Sequence, residues 1–298
     1  MLPVLAFAAM AAVWGFTWLP AKLGSEVVPP IFLAGCRFVL AGSLFGVFAA
    51  WRRLPLATPQ LGRLLASALL ITTFCYAPLF WGVARAPTGL SAIINFSLMP
   101  IFTIAVAWIW GRERVTVRRA AAIALGIGGL VLLFSTRTGG DLGIRGALGL
   151  LGVAVGTLSY AIGAVISRPL MRELSPVALA FWQTLLGGLA LLPISFAIEG
   201  FDLVRFALVV THPKAAGSLA FLIIAGSLVG FLIYLWLLRE WGAFRAGLYA
   251  FVSPAVAVAV GVIWAGEPFG PTEGLGMAVM FAATAMVLRP EPDRRGAS

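Results

Sequence analysis

The sequence predicts an all-α integral membrane protein whose ten transmembrane helices form two five-helix repeats of inverted topology. Three observations predict it: a composition too apolar for water, ten runs long enough to cross a bilayer, and a kinked segment that occurs twice. The 298 residues are 61% hydrophobic and only 11% charged, whereas soluble domains carry about 25% charged residues. The composition therefore favours a multi-pass membrane protein.

The strongly basic charge fits a lipid bilayer better than a nucleic acid. The formal net charge of +10 comes from Lys and Arg that stand in short clusters between apolar runs, as in the loops of membrane proteins. No aromatic-basic groove or zinc-finger spacing accompanies them, so we expect no nucleic-acid partner. Cys36 and Cys75 lie inside apolar runs and are expected to be small core residues rather than a disulfide.

The apolar runs define the transmembrane helices. A span needs about 20 mainly apolar residues, and the ten runs cover residues 3–21, 30–50, 61–83, 88–110, 118–135, 145–166, 176–198, 216–238, 243–265 and 271–288. The first run lacks a positive n-region and a clear cleavage site, so we interpret it as a retained span and not a signal peptide. The longest loop, 199–215, carries the single histidine, His212.

The distribution of basic residues predicts the orientation. If both termini face the cytoplasm, six basic residues lie outside, namely Lys22, Arg85, Arg137, Arg145, Arg205 and Lys214. Arg37 lies inside the second span, and the other fourteen of the 21 basic residues lie inside the cell. Short cytoplasmic loops carry the excess of Lys and Arg. This split predicts cytoplasmic termini and an external 199–215 loop.

An internal repeat explains why the chain carries one kinked segment twice. Spans four and nine match at an offset of 154 residues, which aligns Pro100 with Pro254, and the start of each half matches at an offset of 146, which aligns Trp14 with Tyr160. The loop after span four has four arginines, whereas "WAGEPFGPTEG" after span nine has none. Five spans per repeat is an odd number, so the second copy is inverted and its loop faces outside. The alternative is a chance match of two apolar segments.

These repeats set the predicted domain organisation. We expect repeat one over residues 1–137, repeat two over 143–290 and a cytoplasmic tail over 291–298. Inverted repeats build alternating-access transporters whose substrate site lies near the midplane between the halves.

Several motifs in order carry a family resemblance over nearly the whole chain. They are "WGFTW" (Trp14–Trp18), "RFVLAG" (Arg37–Gly42), Pro100 followed by "GRE" (Gly111–Glu113), "GIGGLVLL" (Gly126–Leu133) and "SPAVAVAVGVIWAGEP" (Ser253–Pro268). With these, the sequence resembles the drug/metabolite transporter superfamily, in its ten-span branch with two EamA-type repeats. It is most similar there to the YddG-type exporters of aromatic and other amino acids. The resemblance implies a central cavity, cytoplasmic termini and a bacterial inner membrane.

Aromatic and neutral polar residues inside the spans are the candidates for a substrate cavity. They are Trp14, Thr17, Tyr76, Phe80, Asn95, Tyr160, Gln183, Tyr234 and Tyr249. Tyr and Trp offer an apolar wall with one polar group, which suits a zwitterion with an apolar side chain. Helix packing is the alternative for each, and an interfacial aromatic belt is the alternative for Trp14.

Three further residues are singled out by what they would do inside a bilayer. Arg37 is the only ionisable residue well inside a span; it could contact a substrate carboxylate, or instead bond backbone carbonyls of a neighbouring helix. Pro100 and Pro254 each remove one hydrogen bond in mid-helix, so we expect them to act as hinges, with a static kink as the alternative.

The remaining chemistry predicts transport without ion coupling. No Asp or Glu lies in mid-span and His212 lies in a loop, so no buried group is placed to carry a coupling proton. We expect an inner-membrane uniporter that exports small zwitterionic metabolites, chiefly aromatic and other apolar amino acids, by alternating access and as a monomer. No catalytic residue, metal or cofactor is expected. The alternatives are a proton-coupled exporter of drugs or other metabolites, and a non-transporting membrane scaffold or receptor.

Overall fold

The computed structural model describes residues 2–110, 143–234, 249–266 and 269–288, and single helical positions at 117, 120, 121, 124, 125, 128, 129, 132, 236, 237 and 240. Most of predicted span five, the loop with Arg112 and Arg114, and the tail 291–298 lie outside the described residues. Within the described ranges all regular structure is helical, without a β-strand, so the all-α prediction is confirmed there.

The described helices are numbered here in chain order. They are α1 (Leu2–Ser25), α2 (Pro30–Trp51), α3 (Leu61–Val83), α4 (Thr88–Ile109), α5 (Gly143–Ser167), α6 (Pro176–Glu199), α7 (Leu203–Thr211), α8 (Pro213–Tyr234), α9 (Tyr249–Ala265) and α10 (Pro271–Leu288). Seven of these helices, α1–α6 and α8, are long and apolar enough to cross a membrane. A 3₁₀ turn extends α5 to Arg172 within its span. Helices α9 and α10 also contain apolar stretches, which are shorter: Val252–Ala265 and Gly274–Ala283.

Proline positions explain where several helices begin and where α1 is interrupted. Proline occupies the first turn of α2, α6 and α8, where its missing N–H costs nothing. In α1, Thr17 separates two helical stretches, Leu2–Phe16 and Trp18–Ser25. Because Pro20 has no N–H, it cannot donate to the carbonyl of Phe16, and the regular helix is interrupted there.

Two helix pairs form the centre of the bundle. Helix α2 packs along α6, and α4 packs along α9. Around them, α1 contacts α9 and α8, while α5 contacts α4 and α3. The α2–α6 crossing is close at two glycines: a Cβ at Gly42 would lie 2.7 Å from the backbone nitrogen of Leu185, and a Cβ at Gly188 would lie 2.7 Å from that of Val39.

Polar contacts tie the helix ends together on each side of the bundle. On one side Glu26 pairs with Lys214, and the Glu199 carboxylate accepts hydrogen bonds from the backbone N–H groups of Ile31 and Phe32, at 2.9 and 3.1 Å. Those groups open α2, where a negative charge is favoured by the helix dipole. On the other side Glu173 accepts hydrogen bonds from Thr58 and Gln60.

The segment 199–215, expected only as a loop, contains the short helix α7. Asp202 caps it, because its Oδ1 accepts hydrogen bonds from the backbone nitrogens of Val204 and Arg205, at 3.0 and 3.1 Å. The ring of Phe206 is buried and stacks on Phe32 of α2 at 4.2 Å. This aromatic contact holds α7 against the bundle.

Two of the long helices contain π-helical segments. Helix α3 is π-helical over Leu69–Thr73, and α8 is π-helical over Leu222–Val229. A π segment shifts the backbone hydrogen bonds from i+4 to i+5 and occurs frequently at functional sites. Neither π segment is predicted by the pattern of apolar residues in the sequence.

Candidate functional site: a central cavity

A cavity of about 320 Å³ lies at the centre of the bundle. Its walls come from α1, α2, α3, α4, α5, α6, α8 and α9. All nine residues expected to face a cavity line it, and so does Arg37. The volume lies at the lower end of the roughly 300–1,000 Å³ that small-molecule pockets occupy.

Aromatic rings form one wall. The ring of Trp14 meets that of Tyr249 edge-on at 4.5 Å between centroids, and the ring of Tyr234 lies 5.6 Å from Trp14 and 6.0 Å from Tyr249. The chain has four tyrosines, and Tyr76 and Tyr160 complete the set at the cavity. None of the four phenol hydroxyls is hydrogen-bonded to a residue that the structure describes, so they are available to a ligand.

The π segment of α8 positions Trp14. The indole Nε1 of Trp14 donates to the carbonyl of Gly226 at 3.0 Å. A Cβ at Gly230 would lie 2.3 Å from that same Nε1, so only glycine leaves room for the indole there. The aromatic wall therefore depends on a backbone carbonyl that the π segment presents and on a glycine one turn further along α8.

Two buried amides line the cavity from opposite helices. Asn95 of α4 donates through Nδ2 to the Thr157 hydroxyl at 3.0 Å, and its Oδ1 accepts nothing from the described residues. Gln183 of α6 donates through Nε2 to the Ser67 hydroxyl at 3.2 Å. Each amide is held by a neighbouring helix, as buried polar groups require.

Arg37 of α2 is the charged residue of the cavity. Its Nε donates to the Ser227 hydroxyl of α8 at 3.3 Å, and its guanidinium carbon lies 4.9 Å from the Phe38 ring centroid and 5.8 Å from that of Tyr76. No carboxylate among the described residues forms an ion pair with it. Ser227 in turn donates to the Leu222 carbonyl at 3.1 Å.

The described lining residues include no Asp, Glu or His. His212 is exposed at the end of α7 and is not among the described lining residues. No group of three potential metal ligands occurs in the described part of the chain.

Some lining residues were not among the sequence candidates. Ser227, Thr72, Thr184 and Phe96 also face the cavity. Isolated Ser, Thr and Phe residues in an apolar run are ordinary packing residues, and nothing in the sequence distinguishes these four. Of the two expected hinges, Pro254 is buried inside α9 and is not among the described lining residues, while the backbone of Pro100 continues α4.

Long apolar helices around a small central cavity define a multi-pass membrane protein. The profile of the EamA-like transporter family matches residues 1–135 and again residues 147–289. The chain therefore belongs to the EamA-like transporter family, and it is a membrane transporter.

Individual relatives agree with this assignment. The chain is 29% identical over 285 residues to the "Uncharacterized inner membrane transporter YedA" of Escherichia coli K12, covering 94% of this chain and 88% of the relative. It is 27% identical over 279 residues to the "Probable amino-acid metabolite efflux pump" of Salmonella typhimurium, covering 92% and 90% of the two chains. A solved crystal structure, 17% identical, shares the fold with a TM-score of 0.64 over 95% of both chains.

Proposed function

We propose that this transporter exports small zwitterionic metabolites, chiefly aromatic and other apolar amino acids, across a bacterial inner membrane by alternating access between two inverted five-helix repeats. The observation that carries the proposal is the central cavity, which is small, walled by tyrosine and tryptophan, and free of acidic groups among its described residues. Its volume favours a metabolite over a large drug. A relative described as an amino-acid metabolite efflux pump supports the same class of substrate.

The pairing of helices supports inverted repeats. Spans one to four are α1–α4, and their predicted equivalents, spans six to nine, are α5, α6, α8 and α9. If each helix is exchanged for its equivalent, the α2–α6 and α4–α9 pairs are unchanged. The same exchange maps the α1–α9 contact onto α5–α4, and the α1–α8 contact onto α5–α3. The π segments agree, since they begin at Leu69 and Leu222 in the equivalent helices α3 and α8.

The cavity repeats the same relation residue by residue. Six lining pairs stand at the two sequence offsets: Trp14 with Tyr160, Arg37 with Gln183 and Phe38 with Thr184 at 146, and Thr72 with Gly226, Phe80 with Tyr234 and Asn95 with Tyr249 at 154. Both repeats therefore contribute corresponding faces to one central space, as alternating access around a fixed site requires. We propose the ten-span, two-repeat organisation on this basis, with both termini in the cytoplasm.

The absence of acidic groups from the described walls supports uniport. A proton-coupled exporter needs a buried group that changes charge during the cycle, and none is present among the described lining residues. We propose that the gradient of a zwitterionic substrate alone drives its export, with the protein acting as a monomer and needing no cofactor.

Transport by the purified full chain in proteoliposomes tests the proposal. Labelled phenylalanine should equilibrate without an imposed proton or sodium gradient. Tyr249→Ala, which removes a wall of the cavity, should slow transport strongly, while Val262→Ala on the lipid-exposed side of the same helix should not. Accumulation that a protonophore abolishes would replace uniport by proton coupling. A folded protein that moves no amino acid would favour the scaffold or receptor alternative.

A further inference from the structure

Arg37 lines the cavity and carries donors that no described residue accepts. A guanidinium carries five N–H donors, and the only hydrogen bond of Arg37 to a described residue uses Nε. Neither Nη1 nor Nη2 is therefore hydrogen-bonded to a described residue. The edge formed by these two nitrogens is the part of a guanidinium that binds a carboxylate with two parallel hydrogen bonds.

The repeat indicates that the hydrogen bond made by Arg37 does not need a positive charge. Gln183 is the equivalent of Arg37 at the offset of 146 residues, and it lines the same cavity from α6. It donates to Ser67 of α3 as Arg37 donates to Ser227 of α8. Both serines then donate to a backbone carbonyl of their own helix. One repeat thus makes this helix-to-helix link with a neutral amide, so the link itself does not require the positive charge of Arg37.

The described walls of the cavity offer no corresponding group for an ammonium. No carboxylate lines it among the described residues. Along these described walls an ammonium would meet neutral acceptors, such as Asn95 Oδ1 and the phenol oxygens, and aromatic faces. In this low-dielectric space a ligand with one net negative charge neutralises Arg37, whereas a zwitterion leaves the positive charge in place.

From these three observations, and resting on the proposed function, we propose that the cavity recognises its substrate by the carboxylate, through the Nη1–Nη2 edge of Arg37, and does not require the ammonium. Its substrates are then apolar and aromatic monocarboxylates, with amino acids as one subset. The aromatic wall formed by Trp14, Tyr234 and Tyr249 receives the apolar part.

Competition between two analogues of one ring tests this inference on the wild-type protein. In proteoliposomes loaded for phenylalanine counterflow, 3-phenylpropanoate lacks only the amino group and 2-phenylethylamine lacks only the carboxylate. We expect 3-phenylpropanoate to inhibit at least as well as unlabelled phenylalanine, and 2-phenylethylamine to inhibit at least about tenfold more weakly, because it cannot make the charge-assisted hydrogen bonds. Equal or better inhibition by the amine would overturn the inference.

Substitutions that follow the repeat identify the residue responsible. Arg37→Gln copies the neutral side chain of the other repeat and should reduce the preference for the carboxylate about tenfold or more. Adding Gln183→Arg to that variant should restore part of the preference from the opposite wall. Arg85→Gln is the matched control, since Arg85 is an exposed cation beside Trp81 and outside the cavity lining. If Arg37→Gln keeps the wild-type preference, Arg37 is not the carboxylate site.

A binding measurement separates this inference from the proposed function. If labelled phenylalanine is not transported at all, the proposed function fails, and thermal stabilisation of the detergent-solubilised protein by the two analogues decides the inference. Stabilisation by 3-phenylpropanoate that Arg37→Gln abolishes would uphold carboxylate recognition. Equal stabilisation by both analogues, or by neither, would refute it. If phenylalanine is transported but 3-phenylpropanoate does not compete, only the inference fails.

Discussion

The close crossing of α2 and α6 gives a direct test of the inverted repeats. A Cβ added at Gly42 or at Gly188 would lie 2.7 Å from a backbone nitrogen of the opposite helix, whereas ordinary Cβ contacts begin at 3.4 Å. Alanine at either position therefore requires the two helices to separate locally by about 0.7 Å. A backbone nitrogen cannot move aside as a flexible side chain can. Overpacking of this kind typically costs about 1–3 kcal/mol.

The matched control cancels the helix preference of alanine. Gly217 lies in α8 with nothing within 4 Å of the Cβ it would gain, so Gly217→Ala brings the same gain in helix propensity, up to about 1 kcal/mol, without a clash. Relative to that control, Gly42→Ala and Gly188→Ala should each lose about 1–3 kcal/mol of unfolding free energy. Because both act on one crossing, their effects should be similar, and the double variant should lose less than the sum.

Thermal unfolding in detergent, followed through the fluorescence of the ten tryptophans, measures these differences. Gly42→Ala and Gly188→Ala should melt together and below Gly217→Ala. If both melt with the control, the helices do not approach as closely as the structure shows. If only one is destabilised, the crossing is not related by a pseudo-two-fold axis and the case for inverted repeats weakens.

Three other predictions concern topology, the cavity and pH. In a variant without Cys36 and Cys75, a cysteine that replaces Thr211 should react with an impermeant thiol reagent in intact cells, and one that replaces Ser298 should not. The reverse pattern would invert the proposed orientation. Asn95→Ala should reduce the affinity for phenylalanine roughly tenfold to a hundredfold if the amide hydrogen-bonds the substrate. Thr157→Val removes only the partner of the amide and should have a much smaller effect. Equal losses in the two variants would mean that Asn95 has a structural role only. Hydrogen bonds from Thr58 and Gln60 lower the pKa of Glu173, so they stabilise the fold above the ordinary glutamate pKa of about 4.3 and are lost as pH falls through the lower folded value. Glu173→Gln should therefore lower the melting temperature slightly at pH 7 and make no difference in acid; a difference that persists in acid would contradict this.

The sequence predicted the helices and the cavity residues for the same reason. A bilayer admits few polar side chains, so Asn95 and Gln183 stand out in their apolar runs, and the structure places all nine candidates around one cavity. The resemblance helped, because it implied a central cavity before any geometry was known. Helix α7, which the sequence analysis above takes for a loop, has a start signal in Asp202 before a short apolar run.

The π segments could not be read from the sequence, because their cause is tertiary. The carbonyl of Leu70 accepts from Ser159 of α5, that of Gly226 accepts from the Trp14 indole, and that of Leu222 accepts from Ser227. The first two bonds form only once helices from distant parts of the chain have packed together, whereas the bond from Ser227 lies within α8. For the same reason Ser227 could not be recognised as the partner of Arg37, since 190 residues separate them.

The proposals together explain how a uniporter could export without a coupling ion. If Arg37 is the one charge of the cavity and binds a carboxylate that carries no ammonium, the loaded site is neutral while the empty site is positive. Each transport cycle then moves one net negative charge outward, whether the charge crosses with the loaded or with the empty site. An interior that is negative by 100 mV favours that movement by about 2.3 kcal/mol per charge, or roughly fiftyfold at equilibrium. A zwitterion moves no net charge and follows its own gradient alone. The same protein would therefore export monocarboxylates against a concentration ratio that it could not sustain for amino acids, with the direction set by the membrane potential and not by a gate.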